Sequence, residues 1–269
     1  MTFDEVLVPL DLSATADRAL PVARSLAGRL DLPLDLVTVS SPFEDESVAH
    51  RLLAHRLEAT RGVAASCTVL RGEVVQAITQ RATEAAAVLC LSTHGRGVLG
   101  RTVLGSVAVE VLGVSDGPVV LVGPNVDVSR FGEVRSLLVV TDGSLQLLPH
   151  GPIAWLAQRL GVAVRVVAVH ELGGVLAPGT LLDETTFLDH VDELCGSFRA
   201  MGLSATPMVV RDQHATTALT SITGSCPSPL LVVVSGRAGR PDRHHVVAAL
   251  ARDASAPVVA VPRVVVHAG

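Results

Sequence analysis

The residues of this chain best suited to chemistry lie in a loop that begins at Ser92-Thr93-His94-Gly95 and ends at Gly105-Ser106. The loop follows an apolar run at 87–91 and precedes a stretch of helical character at 107–112. Glycines let the backbone turn sharply and approach a phosphate, and the first amides of a helix point at a bound anion. Ser106 is also a suitable cap for that helix. We therefore predict a nucleotide-phosphate site in this loop.

The amino-acid composition limits the classes of ligand and chemistry that such a site can support. The chain has 269 residues, of which 49% are hydrophobic and 2% aromatic, and its formal net charge is -5. Few aromatic side chains and no basic run argue against a nucleic-acid partner. The sequence contains no lysine, which excludes a P-loop lysine and a Schiff-base lysine. With no recognisable signal peptide and no apolar run of membrane-spanning length, we expect a cytoplasmic protein without a membrane partner.

No pattern in the sequence points to a catalytic residue or a metal ligand. A G-x-S-x-G elbow and an H-E-x-x-H motif are both missing from the sequence. His244 and His245 are adjacent, and neighbouring residues on a helix point about 100° apart, which is unfavourable for sharing one metal. The cysteines are dispersed and lie in or beside apolar segments, so we interpret them as reduced structural residues: Cys67, Cys90, Cys195 and Cys226.

The two halves of the chain resemble each other. The segment VLVPLDLS at 6–13 aligns with LLVVTDGS at 137–144, and the apolar run at 117–122 aligns with 256–261. Duplication of one domain of about 130 residues explains both alignments. We predict one domain at 1–124, a linker at 125–134 and a second domain at 135–269.

Each half alternates short continuous apolar runs with longer segments of helical spacing. Continuous apolar runs are typical of strands that are buried on both faces of a parallel sheet. The predicted fold class is therefore α/β, with two tandem doubly wound, five-stranded parallel sheets and helices on both faces, a Rossmann-like layout. Since ligands of such folds bind at the carboxyl ends of the strands, we expect Asp11, Val39 and the loop at 92–106 to converge on one crevice.

These segments resemble the universal stress protein family in its tandem two-domain form, over nearly the whole chain. The resemblance rests on Pro9-Leu10-Asp11-Leu12-Ser13, on the loop from His94-Gly95 to Gly105-Ser106, and on the closing run at 118–122. The family's nucleotide-binding branch has the pattern G-x2-G-x9-G-[S/T]. Gly95, Gly105 and Ser106 match that pattern, whereas Ser92 replaces the first glycine. The resemblance implies the fold of the adenine nucleotide alpha hydrolases.

The resemblance also implies a role for each matching residue. Asp11 would contact the adenosine end of ATP, and Val39, expected just after the second strand, would offer backbone groups to adenine. The ribose and phosphates would lie along Ser92, Gly95, Gly105 and Ser106, with Mg²⁺ accompanying the triphosphate. The predicted binding set is completed by neighbours of these positions: Pro9, Leu91, His94 and Val107. From the residues alone, Asp11 is equally suited to brace a turn.

The second half departs from the family pattern. Its corresponding loop, 235–245, is about four residues shorter, and no Gly-Ser pair precedes the helix. Asp142 keeps the acidic position, and Arg237, Arg240 and Arg243 could attract a phosphate by charge. We predict a degenerate second domain that pairs with the first.

The sequence as a whole predicts a cytoplasmic ATP-binding regulatory or stress-response protein whose first domain holds the nucleotide. Two alternatives stay open: an interaction or dimerisation module without nucleotide affinity, and a slow ATPase. Because the family exchanges its apolar closing strands at dimer contacts, the resemblance implies a pseudo-dimer of the two domains, an exchange between halves or chains, and a homodimer. A regulatory partner is also implied, but the sequence does not identify it.

Overall fold

The computed structural model of the chain describes residues 2–41, 45–93, 104–129, 131, 134–141, 148–171, 184–212, 214–235 and 242–262. Ten strands and eight α-helices are found in this part of the chain. No helix within those ranges combines the length and the apolarity needed to cross a bilayer.

The first half alternates strands and helices along the chain. Its strands are β1 (Glu5–Pro9), β2 (Leu34–Ser40), β3 (Ala65–Arg71), β4 (Ala87–Ser92) and β5 (Val119–Val122). Its helices are α1 (Ala19–Leu30), α2 (Glu46–Arg56), α3 (Val74–Glu84) and α4 (Ser106–Val114). Short 3-10 turns at Ala16–Arg18 and Leu57–Thr60 precede α1 and follow α2.

The second half repeats this order. Its strands are β6 (Ser136–Thr141), β7 (Ala163–Glu171), β8 (Ala205–Asp212), β9 (Pro229–Ser235) and β10 (Val258–Pro262). Its helices are α5 (His150–Leu160), α6 (Glu184–Ala200), α7 (Ala215–Ser225) and α8 (Asp242–Asp253).

The ten strands form one sheet in the order β3-β2-β1-β4-β5-β10-β9-β6-β7-β8. All strand pairs within each half are parallel. This confirms the predicted α/β class with doubly wound parallel five-stranded units, but the two units join in one sheet and do not form two separate sheets. In the first half the chain runs outward from β1 to β3 and then returns past β1 to β4. The strand order therefore reverses at β1, where ligand crevices form in such folds.

The two halves join through their closing strands. β5 and β10 pair in antiparallel fashion, with Val119 opposite Ala260 and Leu121 opposite Val258. Each closing strand also pairs with a strand of its own half, β5 with β4 and β10 with β9. The expected exchange of closing strands between the halves is therefore wrong. Both edges of β5 and of β10 are already hydrogen-bonded without it.

Helices cover both faces of the sheet. One buried cluster includes residues of α1, α2, α5 and α6, and the other includes residues of α3, α4, α7 and α8. Leu36 and Val37 are adjacent in β2 and face opposite clusters, yet neither is exposed. Burying one such side chain contributes roughly 1.5–3 kcal/mol. Burial on both faces is the physical reason for the continuous apolar runs in the sequence.

The cysteines are consistent with a packing role. All four are free thiols, and Cys90 in β4 and Cys195 in α6 are buried. Burial raises the pKa of both of these thiols. At neutral pH they therefore stay protonated and pack as small apolar groups.

A charged cluster lies at the amino-terminal ends of β1, β2 and β3. The Asp35 carboxylate is 2% exposed, lies 2.9 Å from Arg81 Nη2, and accepts hydrogen bonds from Ser66 and Thr68. Arg81 Nη2 also donates to Glu5 Oε2 at 3.1 Å, and its Nη1 lies 2.8 Å from Glu5 Oε1. Burial raises the pKa of Glu5, and the interaction with Arg81 opposes that rise. Arg81 thus forms ion pairs with two carboxylates beneath α3.

We expect Arg81→Met to lower the free energy of unfolding by about 3–5 kcal/mol, because the variant leaves the Asp35 charge buried without its cation. Urea denaturation followed by circular dichroism measures this change. Arg71→Met is the matched control, since the Arg71 side chain is 68% exposed in its ion pair with Glu46. The control should lose less than about 1 kcal/mol. Equal losses in the two variants would contradict the role given to Arg81.

Candidate functional site

A cavity of about 730 Å³ opens at the carboxyl ends of β1, β2 and β4. Elements from both faces of the sheet contribute to its wall. The described lining consists of Pro9, Leu10, Asp11, Ala16, Val37, Thr38, Val39, Val74, Ile78, Leu91, Ser92, Thr93, Leu104, Gly105, Ser106, Val107, Ala108, Val109, Glu110 and Val111.

The structure brings together every described residue of the predicted binding set. These residues line the one cavity: Pro9, Asp11, Val39, Leu91, Ser92, Gly105, Ser106 and Val107. His94 and Gly95, the other two predicted positions, lie outside the described residues. The convergence follows from the parallel strands, whose carboxyl ends share one edge of the sheet.

The start of α4 forms one end of the cavity. Gly105 has extended backbone angles and is the N-cap; its N–H donates to the Thr93 carbonyl at 2.8 Å, and its own carbonyl accepts from Val109. The prediction that Ser106 caps this helix is wrong, because Gly105 occupies that position and Ser106 is the first helical residue. The amides of Ser106, Val107 and Ala108 have no hydrogen-bond partner among the described residues. They are the first-turn donors that can bind an anion.

Val39 presents backbone groups to the other end of the cavity. Leu10 N–H donates to the Val37 carbonyl at 2.8 Å, so the backbone of Val37 faces β1. Residues two apart in a strand face the same neighbour, and the backbone of Val39 therefore faces the same side. β1 ends at Pro9, which pairs with Val37. The backbone N–H and C=O of Val39 therefore point past the end of β1. Val39 lies inside β2, which continues to Ser40, and not after the strand as predicted.

Asp11 braces the turn that follows β1. Its Oδ1 accepts hydrogen bonds from the Ser13 N–H at 3.0 Å and from the Ser13 hydroxyl at 2.6 Å. Ser13 Oγ in turn accepts from the Ala16 N–H at 3.1 Å. Asp11 also lines the cavity. The bracing role considered from the sequence is therefore present, and it fixes the carboxylate at the cavity wall.

Sequence reasoning missed several wall residues. Thr93 is completely buried; its N–H donates to the Val122 carbonyl, and its carbonyl accepts from Gly105. Its position inside the predicted loop was the signal that could have identified it. Val74 and Ile78 have the helical spacing of core residues, and their sequence carries no signal that α3 reaches the cavity. Packing of α3 beside α4 brings them there.

The charged residues of the described lining are both acidic, Asp11 and Glu110. In this part of the wall, an anionic ligand would meet backbone amides and apolar side chains, without a basic side chain. The helix start is the favourable end for negative charge, because the helix dipole is positive there. The cavity can therefore accept an anionic group at α4 and an uncharged, largely apolar group elsewhere.

The corresponding region of the second half falls largely outside the described residues. Asp142, the arginines of the loop and the side chains of His244 and His245 are not described. The degenerate character of the second domain stays a prediction.

Comparisons with known proteins connect this site to a family. Residues 2–123 match the model of the universal stress protein family. A universal stress protein of Mycolicibacterium smegmatis (strain ATCC 700084 / mc(2)155) is 29% identical over 160 residues, which are 52% of this chain and 54% of that protein. The chain thus spans about half the length of the curated relative that it matches.

Solved structures share the fold across nearly the whole chain. A universal stress protein from Archaeoglobus fulgidus DSM 4304 is similar with a TM-score of 0.65 and 17% identity, over 97% of this chain and 96% of that one. A functionally unknown protein from Pseudomonas aeruginosa PAO1 has a TM-score of 0.67 and 16% identity, over 97% and 93%. The cytoplasmic domain of a prokaryotic cation chloride cotransporter has a TM-score of 0.56 and 12% identity, over 97% and 95%. These likenesses show the fold, which hosts more than one function.

Amide hydrogen exchange tests the geometry at the start of α4. We expect the Gly105 amide to be protected, because it donates to Thr93, and the Ser106 and Val107 amides to exchange quickly, because they have no described acceptor. Exchange followed by NMR on the ligand-free protein measures the three rates. Equal protection of all three would mean that the anion-binding donors are already occupied by the protein.

Proposed function

Residues 2–123 match the universal stress protein family, and from that match we propose that the crevice of the first half binds ATP with Mg²⁺. The observation that carries the proposal is the pair of first-turn amides, Ser106 and Val107, which lie without described partners at one end of a cavity of about 730 Å³. A cavity of this size is in the range of small-molecule and cofactor sites.

The phosphate end of the proposed site is the start of α4. Ser106 and Val107 are exposed at the cavity, and the Ser106 hydroxyl adds a donor beside their amides. Gly105 cannot contribute its amide, since that group donates to Thr93. The Thr93–Gly105 bond nevertheless supports binding, because it holds the helix start against the end of β4.

The adenosine end of the proposed site lies across the ends of β1 and β2. The N–H and C=O of Val39, which point past the end of β1, are complementary to the donor and acceptor edge of adenine. The Asp11 carboxylate is an acceptor for ribose hydroxyl groups. Apolar side chains of β2 and α3, including Val37 and Ile78, would cover the faces of the base.

The acidic wall explains why the proposal includes a divalent cation. Asp11 and Glu110 both line the cavity, and each repels a triphosphate. Mg²⁺ reduces the net charge of the bound triphosphate. Two basic residues, Arg96 and Arg101, lie in the sequence between the two ends of the loop.

The proposed role is binding and regulation. The described lining includes no histidine, cysteine or lysine that would serve as a general base or nucleophile. The name of the family implies a part in the stress response, and the buried free thiols are compatible with the cytoplasm. Partner proteins would distinguish the nucleotide-bound from the nucleotide-free form through the surface around the crevice.

We expect Ser106→Asp to weaken Mg-ATP binding by about tenfold or more, because the new carboxylate lies beside the phosphate donors. The variant should keep its fold, since a carboxylate in the first turn of a helix is favourable. Isothermal titration calorimetry measures the affinity. Thr217→Asp places the same charge in the first turn of α7 and should leave binding unchanged. Loss of binding in both variants, or in neither, would contradict the proposed phosphate end.

Removal of Mg²⁺ distinguishes the contribution of the phosphate end to binding from that of the adenosine end. With EDTA, ATP should bind markedly more weakly, because its charge then meets Asp11 and Glu110 directly. Binding of AMP should change less, since AMP carries less charge. Thermal melting with each nucleotide gives the comparison, because a ligand at 100 times its Kd stabilises the folded state by about 2.7 kcal/mol. If neither nucleotide at millimolar concentration raises the midpoint, the proposal is wrong.

A further inference from the structure

The turn after β1 contains a strained residue at the edge of the cavity. Leu12 has φ +64, in the left-handed region that non-glycine residues rarely adopt. The second repeat carries Gly143 at the aligned position, where this conformation would cost nothing. For leucine, the left-handed conformation is disfavoured by roughly tenfold or more in population. Some other contact must therefore hold Leu12 in place.

Arg56, at the end of α2, supplies one such contact, in addition to the packing of the Leu12 side chain against the hydrophobic core. Its Nη2 donates to the Leu12 carbonyl at 2.8 Å, and its Nε donates to Asp17 Oδ1 at 2.5 Å. Its Nη1 donates to the Leu52 carbonyl of its own helix at 3.0 Å. The Arg56 side chain is 16% exposed. One planar guanidinium thus ties α2 to both sides of the turn between β1 and α1.

The conformation of Leu12 determines where Asp11 points. Asp11 Oδ1 is held by Ser13, and Leu12 is the residue between them. If Leu12 leaves the left-handed region, Ser13 moves away from Asp11, and the carboxylate loses its two local donors. Asp11 lines the cavity, whereas Arg56 and Leu12 are not part of the described lining.

We propose that Arg56 is a positioning residue for the crevice: it holds Leu12 in the left-handed conformation that aims Asp11 at the ligand, without contacting the ligand itself. The inference rests on the proposed ATP binding for its functional consequence. Its structural content is independent of the nucleotide, because the turn is assembled in the protein alone.

The test measures Mg-ATP affinity by calorimetry and the exchange of the Ser13 and Ala16 amides by NMR. Arg56→Met should weaken binding by roughly tenfold, because the competent turn becomes a minor conformation. It should also speed exchange of both amides. Arg61→Met is the matched control, since the Arg61 side chain is 79% exposed and its Glu58 partner lies 4.0 Å away. The control should leave affinity and exchange unchanged.

The mechanism is tested by rescue with the residue of the second repeat. Leu12→Gly removes the cost of the left-handed conformation, so Arg56→Met should weaken binding much less in that background. A merely structural role of Arg56 would not produce such a rescue, because its loss would act equally in both backgrounds. If Arg56→Met does not fold, Arg56→Lys keeps the charge opposite Asp17 but lacks the forked donors, and the same rescue is measured with it.

The outcomes distinguish this inference from the proposed function. If the unmodified chain does not bind Mg-ATP, the proposed function fails, and the exchange rates alone decide about Arg56. If the chain binds but Arg56→Met neither weakens binding nor speeds exchange of Ser13 and Ala16, the inference is overturned while the proposed function stands. A loss of affinity that Leu12→Gly does not reduce also overturns it.

Discussion

The structure depends on the position of β1, which is hydrogen-bonded in parallel to β2 on one side and to β4 on the other. The chain leaves β1 toward α1 on one face of the sheet and leaves β4 toward α4 on the opposite face. Because the two connections diverge, a crevice opens between them at the carboxyl ends of the strands. The backbone of Val39, the Asp11 carboxylate and the first amides of α4 all face this crevice because of that arrangement.

The antiparallel pairing of β5 and β10 makes the two halves one structural unit. This pairing removes two sheet edges and leaves β3 and β8 as the edge strands. Pro207 lies within β8, and as a proline it lacks the N–H that would donate to another strand. The chain passes close to the second half directly after β5. A Cβ on Gly123 would lie 1.8 Å from the Ala251 carbonyl oxygen, and Asn125 donates to carbonyls at the end of α8.

Asp11 combines a structural role with a place in the cavity wall. Its bonds to Ser13 fix the carboxylate, and a fixed carboxylate loses less freedom when a ligand binds. The strained Leu12 and the guanidinium of Arg56 belong to the same arrangement. A strained backbone conformation persists when surrounding contacts over-determine it, and here those contacts include the hydrogen bond from Arg56 in α2 and the packing of Leu12 against the core.

The sequence by itself determined the order of strands and helices, the parallel sheet and eight of the twenty residues that line the described crevice. These follow from local properties: apolar runs that require burial on both faces, and glycines between a strand and a helix. Reasoning from sequence placed Val39 and Ser106 one step from their observed positions, because capping and strand ends depend on hydrogen bonds such as Thr93 to Gly105. Only the tertiary structure decided that α3 lines the cavity, that the two halves share one sheet, and that Arg56 holds Leu12. Each of these depends on contacts between elements that are far apart in the sequence, and a local sequence pattern does not specify such contacts.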